Sequence, residues 1–460
     1  MGGYAVCSDE GDCKKFPKFP TVFYFTSFYT PMQVSRQVIL RRSVSMSRPI
    51  KDIFVIGFAL FSMFFGAGNV IFPPYLGLSC GSEWFSGFLW YYLADIGLAL
   101  LAMFAILRCG STEAVIAPLG PIPSKLLMSA IVLCIGPMLA IPRTAATTHE
   151  MALSPLVSGV SPLLFSILFF ALIAAICVKQ SAVVDIVGKF LTPALLIGLL
   201  VLIVLGVVDP IGPVPDRVLV DSVAATGIEA GYQTMDVLAA ILFGIIILKS
   251  AENKGYADRK SQVKVVAGAA AVAGIALLVV YLGLTYLGVT TSRFFDLSVQ
   301  RTYLMVSIVR NLLGTPGVWL FSLIVALACI TTAAALVSSA ADYFSSLLKV
   351  SYGKMVLAIC AFSAVAANFG LDAIVSIAAP ILNIVYPPTL VVVALGFFEK
   401  FFPSYTTVRF AAAGALVVSI LQAAGIPFLS ALPLASLGFG WVAPALLCGA
   451  AGFIISLRKA

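Results

Sequence analysis

From Ile53 onward the sequence is a succession of apolar runs, often 18 residues or longer, set apart by short polar connections. A helix of that length crosses a bilayer. A membrane barrel would instead need segments of about ten residues that alternate apolar and polar, and these do not recur. The pattern predicts an all-α polytopic membrane protein with spans over residues 53–76, 84–107, 124–146, 161–179, 185–208, 232–250, 263–288, 317–348, 354–370, 373–398, 407–423 and 437–457.

The first span is not a plain apolar run. Residues 62–74 read Ser-Met-Phe-Phe-Gly-Ala-Gly-Asn-Val-Ile-Phe-Pro-Pro. Gly66 and Gly68 weaken a helix interior, and Pro73 and Pro74 remove donors and clash one turn back. A broken helix persists in hydrocarbon only where its freed backbone groups meet protein, ligand or water. The expectation is a discontinuous helix whose unwound middle holds a small solute or ion, with a short half-helix at 70–76. The sixth span opens on Gly231-Tyr-Gln-Thr-Met-Asp236, five helices on, and is expected to be interrupted in the same way. Two such interruptions in corresponding places predict a core of two inverted five-helix repeats plus two accessory helices. Residues 383–388, Asn-Ile-Val-Tyr-Pro-Pro, echo residues 69–74 and predict a further broken helix in the tenth span.

The division expected is 1–47 as an N-terminal extension, 48–250 for spans one to six, 251–400 for spans seven to ten, and 401–460 for the accessory pair. Residues 1–47 carry no long apolar run and no signal-peptide pattern. They read either as a disordered extension or as an over-long reading of the gene that precedes Met46.

Composition narrows the class. Of 460 residues 61% are hydrophobic and 10% charged, against about 25% charged in soluble domains. The net charge of +8 is spread over short loops, which argues against nucleic acid. Lys and Arg concentrate in the even-numbered connections, among them Arg108, Lys125, Lys254, Arg259 and Lys349, with Arg458 and Lys459 at the end. By the positive-inside rule both termini are cytoplasmic. The loop 290–316 goes against this bias with Arg293, Arg301 and Arg310. Nine cysteines form no C-x-x-C pair, and His149 is the single histidine; they fit no metal cluster or disulfide framework. No nucleophile–base set is visible, so an enzyme is not expected.

The candidate chemistry is therefore backbone chemistry. Amides at Ala67, Gly68 and Asn69 start a half-helix and suit a carboxylate. Carbonyls near Gly231, Tyr232, Gln233 and Thr234 suit an ammonium group, so the two breaks would clasp a zwitterion. Carbonyls from Ser62 to Phe65 suit a cation. In the eighth span Thr331 and Thr332 follow Ala328 by one turn. Neutral oxygens without a carboxylate suit a monovalent cation, although each hydroxyl could simply bond back within its own helix. Arg143 with Glu150, beside His149, reads as an outer gate or ion pair, or as an arginine that snorkels to the interface. Asp95, Asp236 and Asp342 are acids of open role: proton relay or structural.

At these residues the sequence resembles the bacterial branched-chain amino acid:cation symporter family, the BrnQ-type carriers. The matching stretches are residues 65–74, 136–145, 231–236, 328–332 and 384–388, spread in order over 48–460. The family in turn resembles the superfamily of the bacterial sodium-coupled leucine transporter, whose Gly-x-Gly-Asn and Ala-x-x-Thr-Ser motifs are matched by Gly66–Asn69 and Ala328–Thr332. The resemblance implies sodium-coupled uptake of leucine, isoleucine and valine across the bacterial cytoplasmic membrane. It implies a sodium ion on Ser62, Phe65, Ala328, Thr331 and Thr332, and Asn69 beside a second ion or the substrate carboxylate. No other cofactor is expected. The alternatives are a proton-coupled or exchange carrier using Asp95 or Asp236, and a non-transporting sensor or channel.

Overall fold

The computed structural model describes residues 49–157, 159–178, 183–398, 402 and 404–458. The expectation for the N-terminal extension lies outside them. The described residues fold into helices joined by turns and short loops. Among the described residues seven helices are long and apolar enough to cross a membrane, or eight if one bent pair counts as a single span. Pro162–Val178 and Val442–Leu457 are shorter apolar helices. Pro162–Val178 illustrates the setting. Phe169, Phe170, Ile173 and Cys177 face the core, while Leu164, Ile167, Leu168 and Leu172 stay exposed. A helix apolar on every side belongs in lipid.

The first span is two helices, α1 (Pro49–Phe64) and α2 (Ala67–Cys80). Between them Gly66 is extended, and no side chain caps the start of α2. The interruption thus falls at Phe65–Gly66, earlier than the prolines suggested. Pro73 and Pro74 lie inside α2, which runs on to Cys80 in place of the expected half-helix at 70–76. The sixth span is also two helices, α3 (Val223–Thr234) and α4 (Asp236–Asn253). Gly231 is helical rather than unwound. The break is at Met235, whose φ of 66° is left-handed. A non-glycine residue there stores strain, which is common at functional sites.

The tenth span is not broken: Leu371–Gly396 is one helix with Pro380, Pro387 and Pro388 inside it. The echo of residues 69–74 was the wrong cue, because the glycines before Asn69 interrupt the first span and none precedes Asn383. Each proline removes only one ladder bond, which neighbouring groups in a membrane protein can absorb. The third span, conversely, bends where no break was expected. Gly136 leaves helical geometry (φ −100°, ψ −131°) between Pro121–Leu133 and α5 (Ala140–Thr147). Wide π turns at Leu93–Gly97 and Thr148–Leu153 hold Asp95 and Glu150. The polar stretch 290–316 is partly helical. Arg301 starts a helix that bends at Gly314 and continues through the eighth span to Leu348.

The seventh span, α6 (Arg259–Val289), lies against α2 with almost nothing between the backbones. A β-carbon on Gly77 would stand 1.9 Å from the Thr285 carbonyl oxygen, and one on Gly288 would stand 1.8 Å from that of Pro74. Only glycine permits that approach.

Candidate functional site

The two interruptions meet at the centre of the molecule around a cavity of about 40 Å³. Its polar wall is Asn69, Arg143, Thr144, Thr234, Asp236 and Thr332; Met63, Phe64, Ile135, Ala239, Phe243 and Leu336 close the rest. Asn69 is the first turn of α2, and Asp236 is the first residue of α4. The Asn69 amide donates from Nδ2 to Asp236 Oδ2 (2.8 Å) and also to the Tyr281 hydroxyl on α6. Thr234 Oγ1 lies 2.7 Å from Asp95 Oδ1 and 2.6 Å from the Gly231 carbonyl. All of these groups are buried, with Asp95 at 0% and Asp236 at 4% exposure. Burial on this scale requires each charge to be compensated by neighbours.

Arg143 is the cation of this centre. It does not snorkel: it is 5% exposed and turned inward from α5. Nη1 donates to the Gln233 carbonyl (2.6 Å) and Nη2 to that of Thr234 (3.3 Å), while the guanidinium lies 5.6 Å from the Phe72 ring centre. Nor does it pair with Glu150. The Glu150 carboxylate takes the Thr302 hydroxyl (2.9 Å) and the Leu371 amide (3.0 Å), holding the starts of two other helices. Seven residues of separation put both side chains on one face of a helix, but the wide turn from Thr148 re-aims the second.

Of the residues expected to grip a zwitterion, Ala67, Asn69 and Thr234 line the central cavity. Gly68 lies beneath the Arg143 guanidinium, where a β-carbon would be 2.9 Å from Nη2. The other three face elsewhere. Gly231 lets α3 approach Tyr91 and Asp95, with a β-carbon 2.9 Å from the Tyr91 carbonyl. Tyr232 stacks on Tyr386 at 4.2 Å. Gln233 donates to the Val375 carbonyl (3.3 Å), and its own Oε1 has no partner among the described residues. The carbonyls expected to hold an ammonium group are real ends of a helix, but Arg143 engages them.

A second, smaller cavity of about 10 Å³ lies on the other side of the first-span break. Ser62, Phe65, Ala328, Thr331 and Thr332 all line it, with Phe61 and Leu195. That is room for one water-sized or smaller species. Ser62 and Phe65 stand at the C-terminal end of α1, where helix carbonyls lack intrahelical partners. Thr331 Oγ1 donates to the Ala328 carbonyl at 2.9 Å, the back-bonding weighed from sequence. A hydroxyl that donates its hydrogen still presents lone pairs, so the oxygen set fits a monovalent cation. Thr332 borders both cavities.

Two clasps flank the centre. Arg301 pairs with Asp372 and lies 4.4 Å over the Tyr75 ring, whose hydroxyl donates to the Leu297 carbonyl (2.8 Å). This pairing gives a structural role to one of the three arginines of the polar stretch 290–316, Arg301. At the other end Asp52 takes Lys254 (2.8 Å) and the Tyr256 hydroxyl (3.0 Å). Sequence reasoning did not single out Tyr281, which sits in an apolar run with no local mark.

The sequence profile described as "Branched-chain amino acid transport protein" matches residues 49–459. The chain is 34% identical over 432 residues to the branched-chain amino acid permease BraB of Bacillus subtilis (strain 168), covering 89% of this chain and 97% of the relative. It is 32% identical over 427 residues to the permease BrnQ of the same organism, covering 88% and 97%. Among solved structures, Mhp1, a nucleobase-cation-symport-1 family transporter closed around bromovinylhydantoin, shares the fold at TM-score 0.63 and 14% identity, covering 88% of this chain and 93% of that one. A Na+-coupled sialic acid symporter does so at TM-score 0.57 and 14% identity, covering 89% and 90%. The helices, their paired interruptions and these likenesses lead to one conclusion: the chain belongs to the branched-chain amino acid transport protein family, whose members carry solutes and are not enzymes.

Proposed function

We propose that this protein is a secondary active symporter that imports leucine, isoleucine or valine together with sodium, by alternating access around the central cavity. The observation that carries the reading is the pair of adjacent cavities separated by the break at Phe65–Gly66. One is lined by neutral oxygens at the C-terminal end of α1, the other by polar groups at the start of α2. One interruption thereby offers carbonyls to a cation and amides to a carboxylate. The apolar wall of Met63, Ile135, Phe243 and Leu336 suits a branched aliphatic side chain. The names of the similar permeases support the same substrates. Lys and Arg placement supports an orientation with both termini inside. The inverted five-plus-five arrangement is part of the proposal. Counterflow and uptake of labelled leucine in proteoliposomes, with and without a sodium gradient, test it. Leucine uptake indifferent to sodium would remove the coupling ion.

Proton coupling is a second reading, favoured by one observation. Thr234 has one hydroxyl hydrogen for two acceptors, Asp95 Oδ1 and the Gly231 carbonyl. If it serves the carbonyl, Asp95 must carry a proton of its own, and Asp95 Oδ2 has no hydrogen-bond partner among the described residues. Uptake driven by a pH gradient in sodium-free vesicles, and lost in Asp95→Asn, would favour it.

A further inference from the structure

Arg143 is a buried guanidinium without a carboxylate at ion-pair distance: among the described residues the ion pairs are Lys254–Asp52 and Arg301–Asp372. Its named partners are the carbonyls of Gln233 and Thr234. These are the last carbonyls of α3, where the helix ends at Met235, and they carry partial negative charge. On its other side the guanidinium lies against Gly68, with Cζ 3.1 Å from where a β-carbon would stand. Ala67 and Gly68 open α2, and first-turn amides have no acceptor in their own helix. The guanidinium therefore sits between a cation-seeking helix end and an anion-seeking helix start, on the wall of the central cavity.

We infer that Arg143 is the switchable anchor of the substrate carboxylate, and that in this structure it stands in for the substrate's own ammonium group. An α-amino acid brings a cation and an anion a few bonds apart. Its ammonium replaces the guanidinium on the Gln233 and Thr234 carbonyls. The freed guanidinium, with the amides of Ala67 and Gly68, takes the carboxylate as charge-assisted hydrogen bonds. The carbonyls keep one cation throughout, and Arg143 gains an anion at hydrogen-bond distance. No proton moves and no net charge enters, because the ligand is a zwitterion. The Gly68 position explains why the exchange has room: the guanidinium needs only to turn toward the start of α2. The site then selects compounds that carry both an ammonium and a carboxylate. An amine lacks the anion that Arg143 would gain, and a keto acid lacks the cation that replaces it.

This inference rests on the carrier reading, and its test separates the two. Binding to purified full-length protein in nanodiscs is measured for leucine, for 3-methylbutylamine, which is leucine without its carboxylate, and for the keto acid of leucine. Wild type is expected to bind leucine about 10- to 100-fold more tightly than either analogue, the worth of one or two charge-assisted hydrogen bonds. Arg143→Gln should lose about that factor for leucine while amine binding stays within about twofold, so that the ratio collapses. Arg143→Lys should fall between, since it keeps the charge and loses the fork. An equal loss for leucine and amine in Arg143→Gln would make the residue structural and overturn the inference, as would unchanged leucine binding. If the variants fail to fold, wild type decides alone: amine binding as tight as leucine binding overturns it. Wild type that binds leucine while failing these comparisons leaves the carrier reading intact, whereas wild type that binds no branched-chain amino acid sinks both.

Discussion

Asn69 and Asp236 join the two interrupted spans directly, Nδ2 to Oδ2 at 2.8 Å, with both side chains at least 96% buried. The same amide nitrogen reaches Tyr281. One side chain thus ties the start of α2 to the start of α4 and to α6.

That tie predicts a stability effect. Asn69→Ala leaves Asp236 short of a donor in a buried place and should cost about 1–3 kcal/mol. Thermal unfolding in detergent reads the cost. Asp236→Ala in the Asn69→Ala background should cost clearly less than it does alone, by ~1 kcal/mol or more, because contacting residues couple. Additive losses would mean that the two do not act as a pair.

The small cavity predicts a sodium effect. Thr331→Ala with Thr332→Ala removes two of its oxygens and should abolish sodium-driven leucine uptake in proteoliposomes. Sodium dependence that survives the double substitution would place the coupling ion elsewhere.

Gly68 predicts a steric effect on Arg143. Alanine there meets the far end of a flexible side chain, at 2.9 Å from Nη2, not rigid backbone. Gly68→Ala should therefore fold, with thermal unfolding near wild type, and bind leucine more weakly by roughly three- to tenfold, the range of about 1 kcal/mol lost from a displaced hydrogen bond. Unchanged leucine affinity would show that the guanidinium need not sit there.

The Arg301–Asp372 clasp predicts a rescue. Arg301→Asp and Asp372→Arg should each alter leucine uptake by a few-fold, because a half-exposed ion pair contributes ~1 kcal/mol or less. The exchanged pair, both substitutions together, should recover part of the change. A double variant as impaired as the sum of the singles would exclude the pairing as the cause.

Residues whose meaning is local were legible in the sequence. Gly66, Gly68 and Asn69 in an apolar run mark an interruption by chemistry alone, and the interruption lies beside them. Ser62, Phe65, Ala328, Thr331 and Thr332, which the family resemblance and not local chemistry assigned to a single cation, line a single cavity. What depends on packing was not legible. Pro73, Pro74, Pro387 and Pro388 stay helical because surrounding groups decide whether a lost ladder bond matters. Gly136 bends the third span beside Pro137, a local breaker pair that was legible but stands in a wholly apolar run with no polar residue to mark a site. Arg143 reads from sequence as an outer gate or ion pair, or as a snorkelling residue, because along a straight helix it would reach the outer interface; past the bend at Gly136 it is buried instead. Tyr281 acquires its role only from what folds against it.

The bare contact between α2 and α6 limits how such a molecule could change shape. With the Gly77 and Gly288 main chains seated on Thr285 and Pro74, any side chain at either glycine would push the two helices apart. A contact this close favours the two moving as a pair. The Arg301–Asp372 clasp, with Arg301 over the Tyr75 ring of α2, is by contrast a contact made by side chains that can repack, and a doorway opening there would have to break it.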